Sequence, residues 1–271
     1  MPSSAQGSSG PGVPGLPAAL APLTADPAGS AVLVDFDGSL APIVRDPGAA
    51  AALPGVTEVL GSLALCFGMV AVVSGRPVAF LAQRLPVAGL VVVGQYGMER
   101  LVDGEAVVDP RVDAWRDAVA AAAAAIERDW PALRVERKDG IAVTMHWRGH
   151  PEVAAEASAW ARAEADRRGL VALPGREACE LRPPLGIDKG TAVEALVRGW
   201  HAAAFAGDDR GDLAAFDALD RLVADGGLVH AARIAVRSPE EPPELVARGD
   251  VEVNGPSGLL ALLRVLGSAA T

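Results

Sequence analysis

Four short apolar runs in this chain each stop at glycine and small polar residues, and that recurrence is the strongest constraint on its fold. Ala31-Val32-Leu33-Val34 ends at Asp35-Phe36-Asp37-Gly38, and the run 69–73 ends at Ser74-Gly75-Arg76-Pro77. The run 90–93 ends at Gly94-Gln95-Tyr96-Gly97, and the run 202–206 at Gly207-Asp208-Asp209. Continuous apolar runs flanked by turn formers suit strands buried on both faces of a parallel sheet. With helical segments between or after them, they predict a doubly wound, Rossmann-like α/β core. Loops at the carboxyl ends of such strands meet at one edge. Asp35, Asp37, Ser74, Asp208 and Asp209 are therefore expected to converge, although they are scattered along the chain.

The middle of the chain reads differently. An Ala-rich helix is expected over 113–129, then strands at 133–138 and 141–148 around Asp139-Gly140. A second helix over 151–168 leads to strands at 170–173 and 178–182, joined through Pro174-Gly175. The order αββαββ predicts a separate α+β unit, residues 109–182, inserted into a core made of 29–108 and 183–271. The chain returns with a helix from about Lys189 and closes with one near 258–266. Residues 1–28, rich in Pro, Gly, Ser and Ala without periodicity, read as a flexible leader.

Charge excludes one class of partner. A net charge of -10 is wrong for holding a nucleic acid backbone, yet it permits a small phosphorylated substrate in a local cationic pocket. Cys66 and Cys179 have no metal-ligand spacing and read as small buried hydrophobes. Asp35 and Asp37 interrupt the best candidate for a membrane span, and the first basic residue is Arg45, so no charged secretory start precedes it. A soluble, cytoplasmic protein is expected. Only two of the 24 basic residues are lysines, Lys138 and Lys189. In a chain that uses arginine almost everywhere, either codon bias or the need for a compact ammonium accounts for them.

Asp35 and Asp37 place two carboxylates where a strand runs out, and Asp208, Asp209 and Asp212 follow another strand. A turn needs Asp and Gly for backbone reasons alone, and Asp208 or Asp209 could cap a helix, which explains one aspartate and not three. Clustered carboxylates repel, and a hard cation such as Mg²⁺, which binds through few carboxylates, water and substrate phosphate, offsets that repulsion. No G-x-x-x-x-G-K-[ST] is present, which argues against a P-loop nucleotide enzyme.

Asp35-Phe36-Asp37-Gly38-Ser39-Leu40, Ser74-Gly75-Arg76, Asp188-Lys189-Gly190 and Gly207-Asp208-Asp209 resemble the four motifs of the haloacid dehalogenase superfamily. Gly94-Gln95-Tyr96-Gly97-Met98-Glu99, Glu180-Leu181-Arg182-Pro183 and the Gly-Asp-Asp-x-x-Asp-x-x-Ala-Phe stretch from Gly207 to Phe216 are similar to trehalose-6-phosphate phosphatases. The resemblance covers about residues 30–265, in order, and includes the inserted cap of that family. It implies a Mg²⁺-dependent phosphatase for trehalose 6-phosphate, in functional pairing with a trehalose-6-phosphate synthase. Asp35 is then the nucleophile and Asp37 the general acid and base. Asp35, the Asp37 carbonyl and Asp208 hold the metal, with Asp209 orienting from behind. Ser74 and Lys189 contact the phosphate, with Gly38, Gly75 and Arg76 lining the same site. Alternation along the cap strands puts Glu136 with Lys138, His146 with Arg148, and Glu180 with Arg182 on shared faces, either as a solvated surface or as a lining for sugar hydroxyls. Glu136, Lys138 and Glu180, with His146 and Arg148, are the expected sugar contacts.

Two positions depart from the family pattern: Ser39 stands where many members have Thr, and Tyr96 where many have His. A phosphatase for another sugar phosphate, sucrose phosphate or a glyceryl-sugar phosphate among them, differs only in the cap and at Tyr96. A silent regulatory partner of a sugar synthase should have lost one of Asp35, Asp37, Lys189 or Asp208, and all four are present.

Overall fold

A computed structural model of the chain describes residues 15–44, 46–175, 177–238 and 241–271. In chain order the elements begin with α1 (Ala21–Ala25), β1 (Ser30–Val34), α2 (Val56–Cys66), β2 (Met69–Val73), α3 (Val78–Arg84) and β3 (Leu90–Gly94). Next come β4 (Glu99–Val102), β5 (Glu105–Val108), α4 (Arg116–Asp129), β6 (Arg134–Lys138), β7 (Ala142–His146), α5 (Ala154–Arg168), β8 (Val171–Gly175) and β9 (Ala178–Arg182). The chain ends with α6 (Lys189–Val197), β10 (Ala202–Gly207), α7 (Leu213–Ala224), β11 (His230–Arg237), α8 (Pro243–Arg248), β12 (Val251–Asn254) and α9 (Gly255–Ala269). These elements divide between two compact units.

The first unit takes the described residues up to Ser74, then Phe80–Val93 and Asp188–Thr271. Its strands lie in the order β12-β11-β10-β1-β2-β3, all parallel. β1 and β10 are buried at every position, as expected of central strands covered by helices on both sides. On α7 the buried residues are Ala215, Phe216, Ala218, Leu219 and Leu222, one stripe at helical spacing. Phe216 meets Phe205 of β10 edge to face, with ring centroids 6.3 Å apart. α9 uses Leu259, Leu260, Leu262, Leu263 and Leu266 in the same way and lies against α2.

The second unit takes Gly75–Ala79 and Gly94–Ile187, so it contains all of 109–182 and reaches past it at both ends. β4 and β5 form an antiparallel hairpin, and a separate antiparallel sheet has the order β6-β7-β9-β8. One face of that sheet, with Val143, Met145, Cys179 and Leu181, packs on α4 and α5 through Val119, Ala122, Ile126, Ala157, Ala161 and Ala165. Alanines every fourth residue on α5 let that helix lie close to the sheet. The opposite face carries Glu136, Lys138, Thr144, His146, Glu180 and Arg182, as register pairs such as Glu136↔Thr144 and Thr144↔Glu180 require.

Two expectations need correction. Residues 15–28 were expected in a flexible leader, yet they form a short 3-10 turn and α1, and Leu20 and Leu23 are fully buried beside β1 and β10. Burying each leucine contributes about 1.5–3 kcal/mol, enough to hold a short segment down. The remainder of that leader, residues 1–14, lies outside the described residues. Pro174-Gly175 is not a turn: both residues pair with β9, Pro174 with Cys179 and Gly175 with Ala178. β8 is an edge strand, where a missing N–H is tolerated.

Candidate active site

At the end of β1 the backbone N–H of Asp35 still donates to Ala206 of β10, at 2.9 Å, so the ladder aims the side chain before the chain turns away. The turn is tight: Gly38 N–H donates to Ala41 O at 2.7 Å, and the Leu40 and Ala41 N–H groups both donate to Phe36 O. Gly38 sits at φ 76°, and a Cβ there would overlap the Asp208 carboxylate, so no other residue fits without displacing that aspartate. Ser39, fully buried, donates to Asp208 Oδ1 at 3.5 Å.

Lys189 arrives at the first turn of α6. A capping box starts that helix: Asp188 Oδ1 accepts from Thr191 N–H at 2.8 Å, and Thr191 Oγ1 accepts from Asp188 N–H at 3.0 Å. The buried ammonium lies 2.9 Å from Asp35 Oδ1 and 2.6 Å from Asp212 Oδ1. Asp212 Oδ2 in turn accepts the backbone N–H groups of Asp208, at 2.9 Å, and Asp209, at 3.0 Å. One aspartate thus ties the loop after β10 to the lysine.

Asp35, Asp208 and Asp212 offer carboxylate oxygens that all lie within 4.8 Å of one another. Burial and neighbouring aspartates push Asp35 up to about 7, against the pull of Lys189. Burial, with Asp212 and Asp209, pushes Asp208 up to about 8. For Lys189, burial works against the charge, but Asp212, Asp35 and Asp209 overcome it and hold the ammonium well above its usual value. One ammonium cannot balance three carboxylates. The donor set, all hard oxygen and short of positive charge, fits a divalent cation such as Mg²⁺. Both oxygens of Asp212 are already engaged, whereas Asp35 is held by Lys189 through Oδ1, so Asp35 and Asp208 are the better placed of the three to ligate.

Of the residues expected at the sheet edge, Asp35 and Asp208 come together in this way, joined by Lys189 from the start of α6. Asp37 is half-buried, and its charge contributes to the rise of Asp35. Ser74, buried directly after β2, donates its N–H to Val93 O at 3.0 Å. Asp209 Oδ1 accepts from the Gly211 and Asp212 N–H groups, capping the following turn, and its carboxylate lies 3.9 Å from Lys189. Asp212 was not expected as a site residue. Its three-residue spacing from Asp209 resembles ordinary capping, and only the fold shows its side chain turned back to the lysine.

In the second unit, Lys138 pairs with Glu180 Oε2 and approaches the Gly75 carbonyl at 3.4 Å. Thr144 Oγ1 donates to the same Glu180 oxygen at 3.4 Å. His146 Nε2 lies 2.9 Å from Glu136 Oε2, and that hydrogen bond, aided by Lys138 and Arg76, lowers Glu136 to about 2. Arg148 stands apart from this group: it lies beyond β7, partly exposed, 3.3 Å from Glu177.

A family model described as trehalose-phosphatase matches residues 33–243. This chain belongs to the trehalose-phosphatase family. A trehalose-phosphate phosphatase of Mycobacterium marinum is 34% identical over 239 residues, covering 80% of this chain and 60% of that protein. The chain therefore spans about 60% of the length of the curated relatives it matches. Among solved structures, a trehalose-6-phosphate phosphatase related protein superposes with a TM-score of 0.72 at 25% identity, covering 88% of this chain and 97% of that one. The C-terminal domain of the Candida albicans trehalose-6-phosphate phosphatase shares the fold, with a TM-score of 0.76 at 21% identity over 92% of this chain and 95% of that one. For this trehalose-phosphatase family member the α/β core with its parallel sheet is thus matched by solved structures. Among the described residues no helix is long and apolar enough to cross a membrane.

Proposed function

We propose that this chain hydrolyses trehalose 6-phosphate to trehalose and phosphate through a phosphorylated Asp35. The observation that carries the reading is the buried Asp35–Lys189–Asp212 chain beside Asp208, in a member of the trehalose-phosphatase family. Lys189 lies against Asp35 Oδ1, favours its anionic form against the burial and neighbouring aspartates that raise it, and aims it, as a nucleophile requires. An Asp35 oxygen forms a bond to phosphorus as the bond to the sugar oxygen breaks. Asp37 gives that oxygen its proton. Asp37, now a carboxylate, takes a proton from the water that attacks phosphorus, and Asp35 is released as a carboxylate. Ser74 donates to a phosphate oxygen, with Gly38, Gly75 and Arg76 lining the site.

Asp35 and Asp208, with the Asp37 backbone carbonyl, are the groups that would hold Mg²⁺, which when bound supplies the positive charge that lets an anionic carboxylate approach a phosphate. Asp209 acts through the turn it caps. Segment 109–182 serves as the cap, with Glu136, Lys138 and Glu180 for sugar hydroxyls and His146 holding Glu136 in place. Arg148, which pairs with Glu177 in this structure, would reach the sugar only by leaving that pair. Cytoplasmic residence and pairing with a trehalose-6-phosphate synthase follow from the same family reading.

The test is phosphate release from a panel of sugar phosphates, with and without Mg²⁺, by the wild type and by Asp35→Asn. Preference for trehalose 6-phosphate and loss of turnover in the variant are expected. Equal turnover of unrelated monosaccharide phosphates would remove the substrate assignment, and an active Asp35→Asn protein would remove the nucleophile.

A further inference from the structure

The polar face of the four-stranded sheet holds two buried polar atoms that no described group satisfies. Glu180 is 6% exposed; its Oε2 takes Lys138 and Thr144, while its Oε1 has no partner. Arg182, 8% exposed, has no partner for Nη1. Residues two apart on a strand point to the same face, so an orphan acceptor and an orphan donor share one side of β9. Leaving such atoms unmatched costs about 1–3 kcal/mol each, more when charged. A hydroxyl is donor and acceptor in one group and can satisfy either atom.

Tyr96 seats the guanidinium. The Arg182 guanidinium carbon lies 5.1 Å from the Tyr96 ring centroid, and the Lys138 ammonium lies 5.7 Å from it. The ring has little freedom. Gln95, Tyr96 and Gly97 are all in the left-handed region, at φ 50°, 59° and 118°. Gln95 N–H donates to Arg76 O at 3.0 Å, and a Cβ on Gly75 would lie 2.5 Å from the ring's Cζ. Non-glycine residues at such angles cost about 1–3 kcal/mol each and persist where the surroundings over-determine them.

We infer that Arg182 and Tyr96 are a specificity-determining pair for the sugar: Arg182 Nη1 donates to a substrate hydroxyl, Glu180 Oε1 accepts from one, and Tyr96 is the positioning residue that holds the guanidinium for this contact. The inference rests on the sugar-phosphatase reading above. It adds a cation–aromatic pair to the carboxylate and lysine contacts proposed there, and it gives the departure at Tyr96 a physical task.

The experiment is steady-state phosphate release from trehalose 6-phosphate and from p-nitrophenyl phosphate, an ester without a sugar. The proteins are wild type, Arg182→Gln, Tyr96→Leu and Tyr96→Phe, each checked for folding by circular dichroism. Loss of a charged hydrogen bond should raise KM for trehalose 6-phosphate about 10-fold or more in Arg182→Gln and Tyr96→Leu, with kcat within about 3-fold. Kinetics on p-nitrophenyl phosphate should not change, and Tyr96→Phe, which keeps the ring, should stay near wild type. If Arg182→Gln fails to fold, Tyr96→Leu carries the test. An unchanged KM, or a parallel fall on p-nitrophenyl phosphate, overturns the inference. A wild type that cleaves p-nitrophenyl phosphate but not trehalose 6-phosphate overturns the substrate reading and the inference with it. Wild-type activity on trehalose 6-phosphate with indifferent variants overturns the inference alone.

Discussion

The ammonium of Lys189 donates to Asp212 Oδ1 at 2.6 Å, a shorter contact than the 2.9 Å it makes with Asp35. The lysine is therefore anchored by one aspartate while it serves another. Asp212→Asn keeps the shape, but its single amide oxygen can face either the N–H groups of Asp208 and Asp209 or the ammonium, and its NH2 donor then faces the other. Phosphate release should fall by about 100-fold or more, as expected for a misplaced charge in the site. Circular dichroism should show a folded protein. Near wild-type turnover would mean that Lys189 needs no anchor.

Gly38 meets two demands at once, a left-handed backbone and contact with the Asp208 carboxylate. Gly38→Ala should cost about 2 kcal/mol or more of stability, read as a lower urea midpoint. Activity should be lost with it, because Asp208 must move. A stable, active alanine variant would show that the turn can relax.

Three buried carboxylates against one ammonium leave a charge deficit that a divalent cation can relieve. Mg²⁺ at about 100 times its Kd should add about 2.7 kcal/mol to unfolding stability, seen as a raised Tm. Asp208→Asn should abolish most of that shift, whereas the exposed Asp103 changed to Asn should preserve it. A shift that survives in Asp208→Asn would place the cation elsewhere.

Glu136 gives a pH dependence with a definite sign. Its folded value, about 2, lies below the ordinary 4.5, mainly through the hydrogen bond with His146. Its contribution is present above about pH 4.5 and fades as pH falls towards 2. Wild type should exceed Glu136→Gln by on the order of 1–3 kcal/mol at neutral pH. Urea unfolding between pH 6 and about 3 should show that gap shrinking with acid. A constant gap would mean that the pair with His146 does not set the difference.

The strands that sequence reading located share a physical property with those it missed only in part. β1, β2, β3 and β10 are buried on both faces and so appear as unbroken apolar runs. β11 carries His230, Arg233 and Arg237, and β12 next to it, at the edge of its unit, alternates Val with Glu252 and Asn254; neither gives a run. The β4–β5 hairpin is largely exposed, and its apolar stretches, Leu101-Val102 and 106–108, are too short to stand out as buried runs. Among site residues, Asp35, Asp208 and Lys189 were legible because strand ends and a rare lysine mark them. Asp212 was not, since its role depends on a side chain folding back across a turn. Arg182 was legible by face, but its orphan Nη1 and its seat on Tyr96 emerge only from tertiary contacts.

Both lysines of this chain are buried, Lys189 at 3% exposure and Lys138 at 7%, each neutralised by carboxylates. The folded surface therefore displays guanidinium groups and no side-chain amine. An amine-directed acylating reagent has little to react with beyond the α-amino terminus. Slow acylation at either lysine would act as a clock for its exposure, timing the parallel-sheet core and the four-stranded sheet separately in one digest.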